Sequence, residues 1–234
     1  MKLLLIVGTL LATAACGVRA PDDAPPVRPD KVVDFASLYA QNCAGCHGVS
    51  GRGGASLELA DPVYLAVADD ASIARMTSAG VSGTAMPAFA QSSGGMLTDQ
   101  QVNIIVRGMR SSWARPGALA GIDLPPYAAT QPGDPQRGAA AFETFCASCH
   151  GKDGRGGTHA SSIVDPSYLQ LVSDQGLRTA IIVGRPDLGA PDWRGDVPGR
   201  PMAPQEISDV VAWLAAQRPS LTNFSALQIP GGFR

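Results

Sequence analysis

The pattern Cys-x-x-Cys-His occurs twice in this chain, at Cys43, Cys46 and His47 and again at Cys146, Cys149 and His150, 103 positions further on. The likeness spreads beyond the motif itself. Ala40-Gln41-Asn42-Cys43-Ala44-Gly45-Cys46-His47-Gly48 stands beside Thr144-Phe145-Cys146-Ala147-Ser148-Cys149-His150-Gly151. Gly51-Arg52-Gly53-Gly54 answers Gly154-Arg155-Gly156-Gly157, and Asp61-Pro62-Val63-Tyr64-Leu65 answers Asp165-Pro166-Ser167-Tyr168-Leu169 after one inserted residue. A 234-residue chain made of two such copies is constrained to fold as two small, similar domains. Domains of that size bury little surface and need an added staple.

Each copy ends in a helical pattern of apolar residues: Val102, Ile105, Val106 and Met109 in the first, Ile207, Val210, Val211 and Leu214 in the second. Thr98 and Pro204 read as the start signals. Each copy begins with a helix-compatible segment, Phe35 to Asn42 and Gly138 to Phe145, that runs straight into the cysteine motif. Between the copies a run of Pro and Gly breaks any regular element, which predicts domains over 33–111 and 136–219 joined by a linker over 112–135. Aromatic residues make up only 6% of the chain, so something other than Phe and Trp must fill the two cores.

Two cysteines three positions apart lie on one side of a helical turn, where both sulfurs can form thioethers along one porphyrin edge. The histidine that follows is then directed at the iron. This spacing reads as covalent attachment of a c-type haem, with His47 and His150 as iron ligands through a ring nitrogen. The competing readings are a redox-active dithiol, a structural zinc site, or chance. A zinc site would need both motifs to converge, although each sits in its own copy. A thioredoxin-like dithiol expects a βαβ context that this Gly/Pro-rich, helix-patterned chain lacks. Gly-rich stretches after each motif suit backbone that runs close to a porphyrin edge.

Lys2 followed by the apolar run Leu3 to Leu11 is a short export signal rather than a bilayer span. It ends in Thr13-Ala14-Ala15-Cys16, which resembles the lipobox at which bacterial lipoproteins are cleaved and acylated on the cysteine, Thr13 departing from the usual Leu. The expectation is a signal peptide over 1–16 with Cys16 acylated, the alternative an ordinary secretory signal. Of five cysteines, Cys16 is the one outside the two motifs. Residues 17–32 read as a Pro- and Asp-rich linker, and 220–234 as a C-terminal extension that either docks on a partner or floats free. A formal net charge of -2, with no run of one sign, leaves no basic face for nucleic acid.

With these motifs, both units resemble class I cytochrome c domains, and the chain resembles a diheme cytochrome c lipoprotein. The resemblance covers roughly 33–110 and 136–218. It implies an all-α chain of two tandem domains, each a small helical fold around a covalent haem c, whose first and last helices cross. It also implies a methionine from a later loop as ligand on the iron's distal face. Thr84-Ala85-Met86-Pro87-Ala88-Phe89 matches that loop and makes Met86 the sixth ligand of haem one, a buried core methionine being the alternative. Pro62 and Pro166 are implied as carriers of the carbonyl that orients the proximal histidine, unless they are plain turn prolines.

The second copy breaks the pattern. Aligned from Gly80 and Gly184, Met86 falls on Ala190, with Pro191 on Pro87 and Trp193 on Phe89. Alanine binds no iron. Three readings stay open for haem two: ligation by Met202, which aligns with the packing residue Leu97; ligation by His159; or an iron open to small ligands. An insert over 195–199 would have to let the loop double back for Met202 to serve.

The expected function is electron transfer outside the cytoplasm, on the periplasmic side of a bacterial membrane and lipid-anchored, or else periplasmic or secreted. The expected partners are redox proteins: a quinol-oxidising complex, a terminal oxidase or a periplasmic dehydrogenase. A role as subunit of a respiratory complex is the accessory version of this. The alternative is a diheme enzyme, peroxidase-like or reducing a small ligand at an open second iron, for which Arg185, Asp187, Asp192 and Arg194 are the only acid/base candidates near the distal loop.

Overall fold

The structure is a computed structural model that describes residues 27–219. The signal peptide, Cys16, most of the 17–32 segment and the 220–234 extension lie outside the described residues. Among the described residues there are ten α-helices and no strand, only isolated bridges. The first domain holds α1 (Phe35–Asn42), α2 (Ala44–His47), α3 (Pro62–Val67), α4 (Asp70–Ala79) and α5 (Asp99–Trp113). The second repeats the order with α6 (Pro135–Phe145), α7 (Ala147–His150), α8 (Pro166–Leu171), α9 (Asp174–Val183) and α10 (Pro204–Ala215).

Local chemistry sets these boundaries. Asp34 caps α1 by accepting from the Ser37 amide at 2.8 Å, and the helix spans the expected residues. The second entry helix starts three residues earlier than the pattern predicted. Pro135 stands at its first turn, and Asp134 accepts from the amides of Gln136 and Arg137, both at 2.8 Å. Thr98 and Gln101 form a reciprocal capping box at the head of α5. The Gln101 side chain also donates to the carbonyls of Pro29 (2.7 Å) and Val32 (3.0 Å), which ties the entry segment to the last helix of the domain.

α1 packs against α5 and α6 against α10, so the first and last helices of each domain meet. The core between and around them buries Leu38, Tyr39, Val102, Ile105 and Met109 in one domain and Phe142, Phe145, Ile207, Val210 and Leu214 in the other.

The short helices α3 and α8 are too brief to stand alone and are held at both ends. Asp61 and Asp165 each accept two amides at the N-terminus, ahead of Pro62 and Pro166. At the C-terminus an arginine from the end of the chain's own domain takes over: Arg218 bonds the carbonyls of Leu169 and Val172, both at 2.9 Å, and Asp174 at 2.5 Å. Arg110 holds Leu65, Ala68 and Asp70 in the same way.

The segment between the domains is strapped to both. Tyr127 donates its hydroxyl to the Met76 sulfur at 3.1 Å, on α4. The carbonyls of Pro126 and Tyr127 accept from Arg178 on α9 at 2.8 and 3.0 Å. Arg178 is 3% exposed and its remaining partner is the Ser208 hydroxyl at 3.1 Å, so three oxygens without formal charge surround a buried guanidinium. Burial pulls its pKa down from the ordinary arginine value. Beside this strap α3 of the first domain packs on α9 of the second.

Candidate haem sites

Each Cys-x-x-Cys-His motif begins where the entry helix ends and occupies a single separate turn. Cys43 closes α1 and Cys146 closes α6; the rest of each motif forms α2 and α7. Glycine then turns the chain back. Gly48 has φ 80°, and a Cβ there would lie 1.7 Å from the Arg52 carbonyl oxygen. A Cβ on Gly54 would lie 2.2 Å from the Cys46 carbonyl oxygen. The glycine-rich stretch lets the chain fold over the motif's own backbone.

That return brings a carbonyl onto each histidine. His47 Nδ1 lies 2.7 Å from the Leu57 carbonyl oxygen, and His150 Nδ1 lies 3.0 Å from that of Ser161. An Nδ1–H that donates there leaves Nε2 as the nitrogen with a free lone pair. Burial holds His47 below the usual histidine range, so its ring is neutral at neutral pH.

These carbonyls correct one expectation. Pro62 and Pro166 do not supply them; both prolines stand at the first turn of α3 and α8, behind the capping aspartates. The loop that carries Leu57 is fixed by Glu58, 4% exposed, which accepts from Arg52 at 3.0 Å and from the Gly53 amide at 3.0 Å. In the second domain a weaker link, Ser162 hydroxyl to the Gly154 carbonyl at 3.3 Å, stands in its place. Sequence reasoning passed over Glu58, for which the isolated carboxylate in an otherwise apolar stretch was the available signal.

The cysteines suit thioether formation better than the competing chemistries. Each pair has one inner and one exposed cysteine, and no disulfide joins them. Burial, then the neighbouring Cys46, pushes the Cys43 thiol up to about 11. Burial, then the Asp196 and Cys149 charges, pushes Cys146 up to about 12. Thiolate chemistry is therefore disfavoured at Cys43 and Cys146. Among the described residues no three His, Cys, Asp or Glu side chains gather as a protein-only metal site. Two sulfurs, an imidazole held through Nδ1 by a backbone carbonyl and an adjoining apolar core fit a covalent haem at each motif.

The distal loops follow α4 and α9. Gly80 and Gly184, with φ 67° and 69°, start them, and a Cβ on either would lie 2.8 Å from the carbonyl oxygen of Met86 or of Ala190. The Met86 carbonyl accepts from the Val81 amide at 3.0 Å, and the Ala190 carbonyl from the Arg185 amide at 2.9 Å. Further on, the Leu97 amide donates to the Phe89 carbonyl at 2.7 Å, and the Met202 amide to the Trp193 carbonyl at 2.8 Å. Met86 is half-buried, Met202 is 2% exposed in the core and His159 is exposed. The four charged residues of the second loop pair with one another, Arg185 with Asp187 at 2.8 Å and Arg194 with Asp192 at 2.5 Å. Arg185 also reaches the Gly54 carbonyl of the first domain at 3.3 Å.

Residues 30–107 match the family model described as cytochrome c oxidase, cbb3-type, subunit III, and residues 135–218 match the one described as cytochrome c. This chain is a diheme class I cytochrome c. As such it carries two covalently bound haem c groups, one on each cysteine pair, and transfers electrons. Among solved structures it is similar to a c-type cytochrome, KustC0563, at 26% identity and a TM-score of 0.31, over 35% of this chain and 99% of that one. It is also similar to a chain of the Kuenenia stuttgartiensis reducing HAO-like protein complex at 17% identity and a TM-score of 0.45, over 79% and 96%. A third similarity is to thiosulfate dehydrogenase TsdBA from Marichromatium purpuratum, at 22% identity and a TM-score of 0.33, over 92% of this chain and 54% of that one. No curated protein matches the chain.

Proposed function

We propose that this diheme cytochrome is an exported, membrane-anchored relay that passes single electrons between redox proteins. A haem c supplies a one-electron ferric–ferrous couple when bound. His47 and His150 would hold the two irons, each ring being oriented through its Nδ1 by a backbone carbonyl. Met86 would supply a second ligand to haem one, and a thioether there would favour the reduced iron and raise the potential. The single observation that carries this reading is the pair of matching His–carbonyl contacts, Leu57 and Ser161, behind two intact cysteine motifs.

Anchoring rests on Cys16 behind an apolar leader and puts the protein on the periplasmic side of a bacterial membrane, where several acyl chains on one residue hold firmly. Its partners are redox proteins of that compartment: a quinol-oxidising complex, a terminal oxidase or a periplasmic dehydrogenase. The oxidase-subunit description of the first domain's family supports the second of these. Fractionation with Cys16→Ala, together with stopped-flow oxidation and reduction of the purified holoprotein, tests the reading. Loss of membrane attachment in the variant and full, rapid cycling of at least one haem are expected. Retention in the membrane would refute the anchor, and failure of both haems to cycle would refute the relay.

A further inference from the structure

We infer that haem two receives no protein ligand on its distal face, so this iron is a binding site for a small exogenous molecule of the diatomic or small-anion class. The inference rests on the haem assignment of the second domain and names what that site takes. It begins with the equivalence of Met86 and Ala190. Both follow a left-handed glycine by six residues, both carbonyls accept from the residue after that glycine, and both lie 2.8 Å from that glycine's would-be Cβ. The side chain that leaves the backbone at this point is a thioether in one domain and a methyl group in the other.

The loop cannot slide to offer a substitute. Ala190 is clamped on both sides by Arg185, accepting from its amide at 2.9 Å and donating to its carbonyl at 3.0 Å. The turn between them is closed by the Arg185–Asp187 pair. The next candidate, Met202, is held in the register of Leu97 and packs in the core as Leu97 does. The insert that would have to bring it back is pinned elsewhere. Arg200 turns onto the Val197 carbonyl at 3.0 Å, stacks 4.7 Å from the Phe145 ring centroid and pairs with Glu206 at 2.6 Å. His159 lies in the 157–160 turn, two residues before Ser161, whose carbonyl holds His150. That turn belongs to the proximal loop, and the distal loop is built from Gly184 to Trp193.

Carbon monoxide titrated into the dithionite-reduced full-length holoprotein tests this. One of the two haems should shift its Soret band, at one equivalent per chain, and the other should not respond. Ala190→Met should abolish that binding and add a second iron–methionine charge-transfer band in the ferric protein. Should that variant fail to fold, ferric wild-type protein suffices: one high-spin haem per chain by electron paramagnetic resonance, converted to low-spin by cyanide, is expected. Wild-type protein with two low-spin haems inert to carbon monoxide would overturn the inference, as would carbon monoxide binding gained only on Met202→Ala or His159→Ala. Either of these results leaves the relay reading intact if both haems still cycle.

Discussion

Phe35 on α1 lies against Gly108 on α5, so close that a Cβ on the glycine would sit 2.2 Å from the ring's Cγ. In the second domain the two partners have changed places. The residue aligned with Phe35 is Gly138, and the one aligned with Gly108 is Trp213, whose Cβ would lie 2.7 Å from a Cβ on Gly138. Helix crossings tolerate close approach where one partner is small, and either helix can supply it. The swap leaves an indole over the first turn of each haem-binding loop. Trp113 lies 2.9 Å from a would-be Cβ on Gly51, and Trp213 lies 3.3 Å from one on Gly154.

The swap predicts unequal costs for the same substitution. Gly108→Ala meets the Phe35 ring, which can turn, and the Phe35 Cβ at 2.8 Å, which must shift slightly; overpacking of about 1–3 kcal/mol is partly offset by the roughly 1 kcal/mol that alanine gains over glycine in a helix. Gly138→Ala meets the Asp209 carbonyl oxygen at 2.0 Å, which cannot move without α10. Thermal melts of the two holoprotein variants should show a clearly larger drop for Gly138→Ala. Equal drops would contradict the crossing geometry.

Arg178 should matter for the strap rather than for either haem. Replacing it with methionine strips the Pro126 carbonyl of its donor, at about 1–3 kcal/mol for a partner left unpaired, and leaves the Tyr127 carbonyl with the Gln175 amide alone at 2.9 Å. Limited proteolysis should then cut within 114–134 while haem content and both optical spectra stay as in wild type. An uncut linker, or altered haem spectra, would show that the guanidinium serves another purpose.

Much of this was legible in the sequence, and what escaped it did so for local physical reasons. The repeat, the two motifs and the entry helix Phe35–Asn42 were readable because spacing and periodicity are properties of the chain itself. The loss of methionine at Ala190 showed for the same reason, since its equivalence to Met86 follows from the glycine six residues before it. The short helices α3, α4, α8 and α9 were not, because they depend on caps and on arginines far along the chain, such as Arg110 and Arg218. Pro62 and Pro166 misled because the same proline serves as turn, carbonyl carrier or first helical residue, and only the Asp61 and Asp165 caps distinguish these. The Phe35–Gly108 exchange is a relation between two helices and leaves no mark on either one.

A titration near haem two follows from Asp196. Asp196 is exposed, and partial desolvation by the surrounding loop, then the charge of Asp192, raises its carboxyl to about 6. Its carboxylate acts on Cys146, a point of haem attachment. Below about 6 the group is protonated and neutral; above it, a negative charge stabilises the oxidised iron. The potential of haem two should therefore fall as pH rises through about 6, and Asp196→Asn should flatten that step. Redox potentiometry between mildly acidic and neutral pH reads this directly, and an unchanged step in the variant would assign it to another group.

The two haems proposed here are alike in attachment and unlike on the distal side. Near-infrared magnetic circular dichroism of the ferric holoprotein, with and without Met86→Ala, tests it most directly. The iron–methionine charge-transfer band should come from haem one alone and vanish completely in the variant. A band that survives at part or all of its wild-type intensity would mean that a second methionine, or one other than Met86, binds iron, and would contradict the asymmetry drawn here.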